Sequence, residues 1–123
     1  MSNKMEHLEQ ALGDLKRNCD VTASAIVTGR GQVIWSFLPQ SVEEKAVSAM
    51  AAAIMSIGAR VGRELGAGEP KSVLIDGIDK TVILKGSGNL LVVGIAPYDS
   101  EIALVDFELS NTLGRIVEVM EES

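Results

Sequence analysis

The sequence predicts a mixed α/β (α+β) fold, in which a five-stranded antiparallel sheet is sandwiched by one long helix on one face and two helices on the other. A long helical pattern from Ser41 to Leu65 separates a predicted pair of strands from a predicted group of three. The segment from Leu90 to Ala96 is apolar on both faces, as a central strand covered on both sides must be. Two further helical patterns complete the cover. The predicted order is helix, two strands, helix, three strands, helix.

The first helix and the first two strands are predicted from residue patterns at the start of the chain. A helix from about Asn3 to Arg17 is indicated by apolar residues on one helical face: Met5, Leu8, Leu12 and Leu15. Small and β-branched residues from Val21 to Thr28 predict a strand, and the apolar segment from Gln32 to Phe37 predicts another. The glycines of Gly29-Arg30-Gly31 are typical of a tight turn, so these two strands form a hairpin.

The long helix carries two apolar stripes at helical spacing. The first has large side chains: Val47, Met50, Ile54, Ile57, Val61 and Leu65. The second is mostly small and ends in an arginine: Val42, Ala46, Ala49, Ala53, Ser56 and Arg60. We expect the large stripe to cover the sheet and the small stripe to face a partner molecule, because small side chains let a neighbouring helix approach closely. The alternative is that the alanines only pack on the chain's own sheet.

Both ends of the long helix have recognisable signals. Ser41 and Glu44 predict a capping box at its start, and Gly66 predicts its end, since glycine readily adopts the left-handed conformation. The segment from Gly66 to Ser72 has the look of a phosphate-binding loop. However, Pro70 stands where a glycine should precede the lysine, and the segment leads from a helix into a strand. We therefore interpret it as a helix end followed by a turn.

Three extended segments follow the long helix: Lys71 to Asp76, Lys80 to Lys85 and Leu90 to Ala96. The segments between them are rich in turn-forming residues, so they predict an antiparallel meander. The first of the three alternates as an edge strand does, and the last suits the centre of the sheet.

A helix is predicted from Pro97 to the end of the chain. Its apolar residues recur at helical spacing: Ile102, Val105, Leu109, Leu113, Ile116 and Met120. Asp99 or Ser100 is expected to be its N-cap. A short strand over residues 103–107 is the alternative, because a dense apolar run fits either period.

Length, charge and composition exclude several classes of function. At 123 residues we expect a single domain spanning residues 1–123. The net charge of -6 and an aromatic content of 3% disfavour nucleic acid as a partner. A single cysteine, Cys19, and a polar start without a signal region favour the cytoplasm. The apolar runs are too short for direct membrane insertion.

The sequence predicts no enzyme, no cofactor and no metal site. Asp76 and Asp79 flank a turn, where aspartate is favoured for local hydrogen bonding. His7 is the only histidine, so one chain cannot assemble a Ser-His, Cys-His or multi-histidine site. Cys19 lacks CxxC spacing. An enzyme that uses carboxylates such as Asp76, Asp79 or Asp99 remains the rival hypothesis.

Four features of the sequence form one pattern: the element order, the Gly29-Arg30-Gly31 hairpin, the alanine-rich helix from Glu43-Glu44 to Leu65 and the Val73-Leu74-Ile75 strand. This pattern resembles the Roadblock family of dynein light chains and small-GTPase regulators. The resemblance covers nearly the whole chain. Profilin and longin domains share much of this layout, so the expected fold is Roadblock/profilin-like. Arg30-Gly31 stands where many members have Asp-Gly, and this change preserves the chemistry of the turn.

The resemblance implies a dimeric, non-catalytic scaffold or regulator. Its subunit partner is expected to be a second copy or a related Roadblock subunit, with the strands from Lys71 to Asp76 paired across a two-fold axis and the long helices side by side. The paired helices are expected to bind a small Ras-like GTPase. Arg60 and Arg63 are candidates to meet acidic groups there, although cations near a helix C-terminus are also simply favourable. The predicted dimer or partner interface contains Val42, Ala46, Ala49, Ala53, Ser56, Arg60, Ser72, Leu74 and Asp76. The alternative is a profilin-, longin- or sensor-like module that binds a small molecule or peptide.

Overall fold

The computed structural model describes residues 2–121. Its helices and strands follow the predicted order of helix, two strands, helix, three strands, helix, which is confirmed. The elements are α1 (Ser2–Asn18), β1 (Ala23–Thr28), β2 (Val33–Phe37), α2 (Glu44–Glu64), β3 (Ser72–Asp76), β4 (Lys80–Ser87), β5 (Leu90–Pro97) and α3 (Ile102–Glu121). No helix within this part of the chain combines the length and the apolar character needed to cross a membrane.

The five strands form one antiparallel sheet in the order β2-β1-β5-β4-β3. The predicted positions of two strands are confirmed, since β5 lies at the centre and β3 at an edge. The predicted meander is confirmed as well, because β3 pairs with β4 and β4 pairs with β5. In this register Val93 of β5 lies between Ala25 of β1 and Leu84 of β4.

Each face of the sheet has its own core, so the prediction of one long helix on one face and two helices on the other is confirmed. Side chains alternate between the faces along each strand. On β1, Ala25 and Val27 point towards α2, and Ile26 points towards α1 and α3. The core with α1 and α3 is the larger and includes Leu8, Leu12, Leu15, Ile26, Val92, Leu109 and Ile116.

The start of α2 differs from the predicted capping box. The helix begins at Glu44, and its N-cap residue, Glu43, makes no side-chain capping hydrogen bond. Ser41 lies in a preceding turn, which is closed by a 2.9 Å hydrogen bond from the Val42 N–H to the Pro39 carbonyl. The Glu44 carboxylate accepts a hydrogen bond from the Ser36 hydroxyl of β2 instead. The turn therefore delays the helix beyond the position at which Ser41 would cap it.

The end of α2 confirms the predicted glycine termination. Gly66 has a φ of 74°. Its N–H donates to the Arg63 carbonyl, and the Ala67 N–H donates to the Gly62 carbonyl at 2.7 Å. This pair of hydrogen bonds is a Schellman motif, which satisfies carbonyls at the end of a helix. The segment that has the look of a phosphate loop is thus a helix terminus.

The last segment is helical, so the alternative of a strand over residues 103–107 is wrong. The helix α3 begins at Ile102, and the Val105 N–H donates to the Glu101 carbonyl. Neither Asp99 nor Ser100 is the N-cap, because the chain turns at Pro97, whose carbonyl accepts the Ser100 N–H at 3.1 Å. That turn moves the first helical residue one or two positions beyond the expected start.

Candidate interaction surface

The face of α2 that lies on the sheet consists mainly of small side chains, with Met55 as its large member. Ser48 and Ala51 are buried there. Two turns beyond Ala51, Gly58 lies over Val73 of β3, where an added Cβ would be 3.6 Å from the Val73 Cγ2 atom. Small residues at these positions bring the helix axis close to the sheet. The strands supply most of the apolar volume of this core, through Val27, Leu84, Leu91 and Val93.

A partly buried hydrogen bond holds the first half of α2 against the β1–β2 hairpin. The Ser48 hydroxyl donates to the Gly31 carbonyl at 2.7 Å. Gly31 has a φ of 87°, and a Cβ there would lie 3.1 Å from the Cα of Ala49. The turn that the glycine pattern predicted therefore also sets the position of the helix.

The large stripe of α2 does not cover the sheet, so its expected orientation is wrong. Met50 is 57% exposed, Ile57 61%, Val61 51% and Leu65 79%. The other two members, Val47 and Ile54, are half-buried. Helical spacing shows which side chains share a face, but it does not show which face meets the sheet. Here the smaller side chains occupy the contact, and the larger ones lie on an exposed flank.

The exposed flank of α2 is turned away from the β1–β2 and β4–β5 hairpins. The opposite flank, which includes Ala52, Met55 and Ser56, lines a cavity of about 460 Å³ with Gly29 and Gly86 of those hairpins. The flank with the large side chains therefore faces the other end of the strands. On this face of the sheet, that end carries Ile75 of β3, which is 42% exposed, and its paired neighbour in β4, Val82.

The edge strand β3 lies next to this flank. Among residues 2–121, no strand pairs with the outer edge of β3. Three of its five residues are Val73, Leu74 and Ile75, without a lysine or proline to block pairing. An apolar edge of this kind is a template for a further strand. We name the exposed flank and the strand beside it the α2–β3 surface, formed by Met50, Ile57, Val61, Leu65 and Ile75 together with the unpaired backbone edge of β3.

The residues of the predicted interface fall into two groups in the structure. Those of α2 lie on its outward side: Ala49, Ala53, Ser56 and Arg60 are exposed, and Ala46 is half-buried, as is Val42 in the preceding turn. Those of β3, Ser72, Leu74 and Asp76, are exposed along the edge strand. The two groups lie on neighbouring elements, because α2 contacts β3. Their part in an interface stays a prediction.

The family model of the Roadblock/LC7 domain matches residues 7–94. The chain belongs to the Roadblock/LC7 family. Two uncharacterised proteins of Methanocaldococcus jannaschii, MJ0310 and MJ1340, are 32% identical to this Roadblock/LC7 domain over 87 residues, which cover 70% of this chain and 76% of each relative. The resemblance inferred from the element order and the hairpin is thereby confirmed.

Solved structures share the fold of this Roadblock/LC7 domain. The gliding protein MglB of Thermus thermophilus superimposes with a TM-score of 0.87 at 13% identity, over 98% of this chain and 93% of that one. A Roadblock/LC7 domain from Streptomyces avermitilis superimposes with a TM-score of 0.79 at 15% identity, over 88% of this chain and 92% of that one. At such identities the likeness concerns the fold alone.

The titratable residues considered as catalytic candidates are dispersed over this Roadblock/LC7 domain. Asp76, Asp79 and Asp99 are exposed, as is His7 on α1. Cys19 is half-buried, and burial raises the pKa of its thiol, which disfavours the reactive thiolate. Within residues 2–121, no three His, Cys, Asp or Glu side chains are grouped to hold a metal ion.

The sequence pattern placed Met50, Ile57, Val61 and Leu65 on the sheet, whereas in this Roadblock/LC7 domain their side chains are exposed. A signal was present in the sequence, since Gly58 and Gly62 lie one turn apart on the face of α2 that also carries Ala51. Glycine in a helix interior costs about 0.5–1 kcal/mol relative to alanine. Two of them on one face indicate a close approach: Val73 of β3 lies against Gly58, and the loop residue Gly68 lies against Gly62.

Proposed function

We propose that this Roadblock/LC7 domain is a non-catalytic homodimeric scaffold that binds and regulates a small Ras-like GTPase in the cytoplasm. The observation that carries the proposal is the α2–β3 surface, where large apolar side chains of a helix flank lie exposed beside an unpaired apolar edge strand. Monomeric proteins rarely leave such side chains exposed together, and a partner of matching shape removes them from water. A second copy of the chain is such a partner.

Pairing of β3 with its mate explains both parts of this surface. Two antiparallel β3 strands related by a two-fold axis join two five-stranded sheets. Because the two β3 strands run in opposite directions, the end of one sheet that carries the β1–β2 and β4–β5 hairpins lies beside the end of the other sheet that lacks them. In this arrangement we place each α2 towards the hairpin end of its own sheet, because one flank of the helix lines a cavity with those hairpins. The two helices therefore lie side by side, and the flanks with Met50, Ile57 and Val61 face each other.

In this dimer the small residues of α2 stay accessible. Ala49, Ala53 and Arg60 project away from the sheet, and Ser56 lies at the border with the hairpin-facing flank. Two copies of this row form a flat, two-fold surface. Small side chains there allow a partner backbone to approach closely, and Arg60 supplies a positive charge for acidic groups. We assign this surface to the GTPase, which it regulates by binding one conformation of its switch regions more tightly than another.

The binding of GTPase tests this proposal. Small Ras-like GTPases encoded by the same genome are loaded with GDP or with a non-hydrolysable GTP analogue and titrated with the purified domain. We expect one nucleotide state of one GTPase to bind, and Ala53→Glu to weaken that binding while sedimentation still shows a dimer. Glu118→Gln, on the exposed side of α3, is the matched control. Absence of binding to every such GTPase, or equal binding by Ala53→Glu, contradicts the proposal.

The alternative, a small-molecule or peptide module, has one observation in its favour. The cavity of about 460 Å³ between α2 and the two hairpins is partly apolar and lined by Met55, Gly86 and Leu91. A ligand that binds only the folded chain raises its melting temperature by mass action. A thermal-shift screen therefore distinguishes the two functions, since a scaffold gains stability from its protein partner instead.

A further inference from the structure

The outer side of β2 is the second free edge of the sheet. Within residues 2–121, β2 pairs only with β1, so the backbone groups on its other side have no strand partner. Its residues, Val33-Ile34-Trp35-Ser36-Phe37, are mostly apolar and include no lysine or proline. Such a composition favours strand pairing. By composition alone, the β2 edge would therefore accept a further strand as readily as the β3 edge does.

The pairing of β2 with β1 contains a β-bulge at Ile34. Trp35 of β2 lies opposite Ile26 of β1. The next pair towards the turn is Val33 with Val27, so Ile34 has no residue opposite it. An extra residue of this kind disrupts the ladder locally, bends its strand and increases the twist.

The side chains at the bulge show the same irregularity. Neighbouring residues of a regular strand point to opposite faces of the sheet. Ile34 and Trp35 are neighbours, yet both pack against the core that α1 and α3 form with the sheet. The regular alternation of β2 is therefore interrupted at Ile34, for the backbone as well as for the side chains.

The β3 edge has no such irregularity. β3 pairs with β4 from Ser72 to Asp76 without a shift of register. Its outer N–H and C=O groups therefore keep the regular alternation that an antiparallel partner strand requires. In β2 the bulge separates Val33 from the rest of the strand, so the regular part runs only from Trp35 to Phe37. The two free edges of the sheet thus differ in their capacity to pair.

We propose that the β-bulge at Ile34 blocks the β2 edge, so that no strand of another molecule is added to the sheet there. Bulges are one of the features by which proteins keep edge strands from pairing. The block is a property of the single chain, whereas its consequence for assembly rests on the proposed homodimer. If both edges could pair, dimers joined through β3 would add to one another through β2 in an open chain. With β2 blocked, assembly through the sheet edges stops at two subunits.

Deletion of Ile34 tests the proposal, because it removes the bulge and leaves the pairs on both sides in register. The register continues towards the turn, where the Thr28 N–H donates to the Gln32 carbonyl at 2.8 Å. Ile34→Ala is the matched control, since it truncates the same side chain and keeps the extra residue. Sedimentation velocity over a range of protein concentrations compares both variants with the wild type.

We expect deletion of Ile34 to raise the sedimenting mass by at least about twofold over the wild type at equal concentration, because two regular β2 edges can pair. Ile34→Ala should sediment as the wild type does. Phe37 is 40% exposed, and Phe37→Lys added to the deletion should restore the wild-type mass, since lysine on an edge strand opposes pairing. Amide hydrogen exchange should show that the deletion variant gains protection in β2.

Trp35 reports whether each variant is folded at the bulge, because it is the only tryptophan of the chain and its fluorescence depends on burial. A folded deletion variant with the wild-type mass overturns the proposal, as does an equal rise in mass for Ile34→Ala. Gained protection confined to β3 overturns it too. If the deletion variant does not fold while Ile34→Ala does, the bulge is needed for the hairpin itself, which also contradicts the proposed role.

The wild type separates this proposal from the proposed homodimer. A wild-type mass that keeps rising with concentration, together with protection gained in β2, shows an open β2 edge and contradicts the block. A monomeric wild type contradicts the homodimer alone, provided that deletion of Ile34 still raises the mass through β2.

Discussion

Gly62 of α2 lies against Gly68 of the loop that follows the helix, and a Cβ on Gly62 would clash with the Gly68 carbonyl oxygen. The Gly62 carbonyl also accepts a hydrogen bond from the Ala67 N–H. The loop therefore folds back over Gly62 and delivers the chain into β3. The position of the edge strand thus depends on the absence of a side chain at residue 62.

Gly62→Ala should destabilise the protein. Alanine normally stabilises a helix interior relative to glycine, but here the added methyl group displaces the loop that leads into β3. We expect a loss of about 1–3 kcal/mol in the free energy of unfolding, typical of overpacking. Gly114→Ala is the control, because no atom lies within 4 Å of a Cβ there. It should stabilise the protein by about 0.5–1 kcal/mol. Denaturant unfolding at equal protein concentration measures both changes, and equal effects of the two variants would refute the role of Gly62.

Ser48→Ala should also destabilise the protein, because it leaves the Gly31 carbonyl without this donor at a partly buried site. The expected loss is about 1–2 kcal/mol. Ser56→Ala, at an exposed position of the same helix, should change stability by less than about 0.5 kcal/mol. Thermal or denaturant unfolding compares the two. If Ser48→Ala is as stable as the wild type, the hydrogen bond does not hold α2 to the hairpin.

Removing Asp106 and removing Lys85 should lower the free energy of unfolding by different amounts, although the two side chains form one ion pair. Asp106→Ala leaves the ammonium group of a largely buried lysine unpaired. Because Asp106 itself is 44% exposed, we expect a loss of about 1–2 kcal/mol, between the values for exposed and buried pairs. Lys85→Met keeps the apolar stem and removes the charge, so it should be nearly neutral. A larger loss for Lys85→Met than for Asp106→Ala would contradict this account.

Cys19 should make stability fall at alkaline pH. Burial raises the pKa of its thiol in the folded state, so the folded chain holds this proton more tightly than the unfolded chain does. The resulting stabilisation is fully present below the ordinary cysteine pKa and is lost as the pH rises through the higher folded value. Unfolding curves of the wild type and Cys19→Ser should therefore converge or cross at high pH. Parallel curves across the alkaline range would show that the thiol does not titrate differently on folding.

Local sequence patterns were sufficient for the types and order of the elements. The turn glycines, the apolar run of β5 and the helical spacing of Leu109, Leu113 and Ile116 each depend on neighbours close in the chain. The edge position of β3 followed from its alternation and was confirmed. These features are local, so one sequence contains enough information to assign them.

Local sequence patterns could not predict which face of α2 lies on the sheet. Met50, Ile57 and Val61 share a flank by spacing, but their exposure depends on how close Ala51 and Gly58 bring the helix to the sheet. That distance depends on the side chains of strands far away in sequence. The uncovered face of β3 is a similar case, because the placement of α3 over β4 and β5 results from packing across the whole sheet.

Sedimentation velocity of the wild type and of Ile57→Asp tests the burial of the α2–β3 surface between two copies most directly. We expect the wild type to sediment at twice the chain mass of 13.0 kDa and Ile57→Asp to sediment as a folded monomer, because the variant places an unpaired charge in the interface. Leu104→Asp, at an exposed position of α3 on the opposite face, should remain dimeric. A monomeric wild type, or an Ile57→Asp variant that stays a folded dimer, would contradict the account.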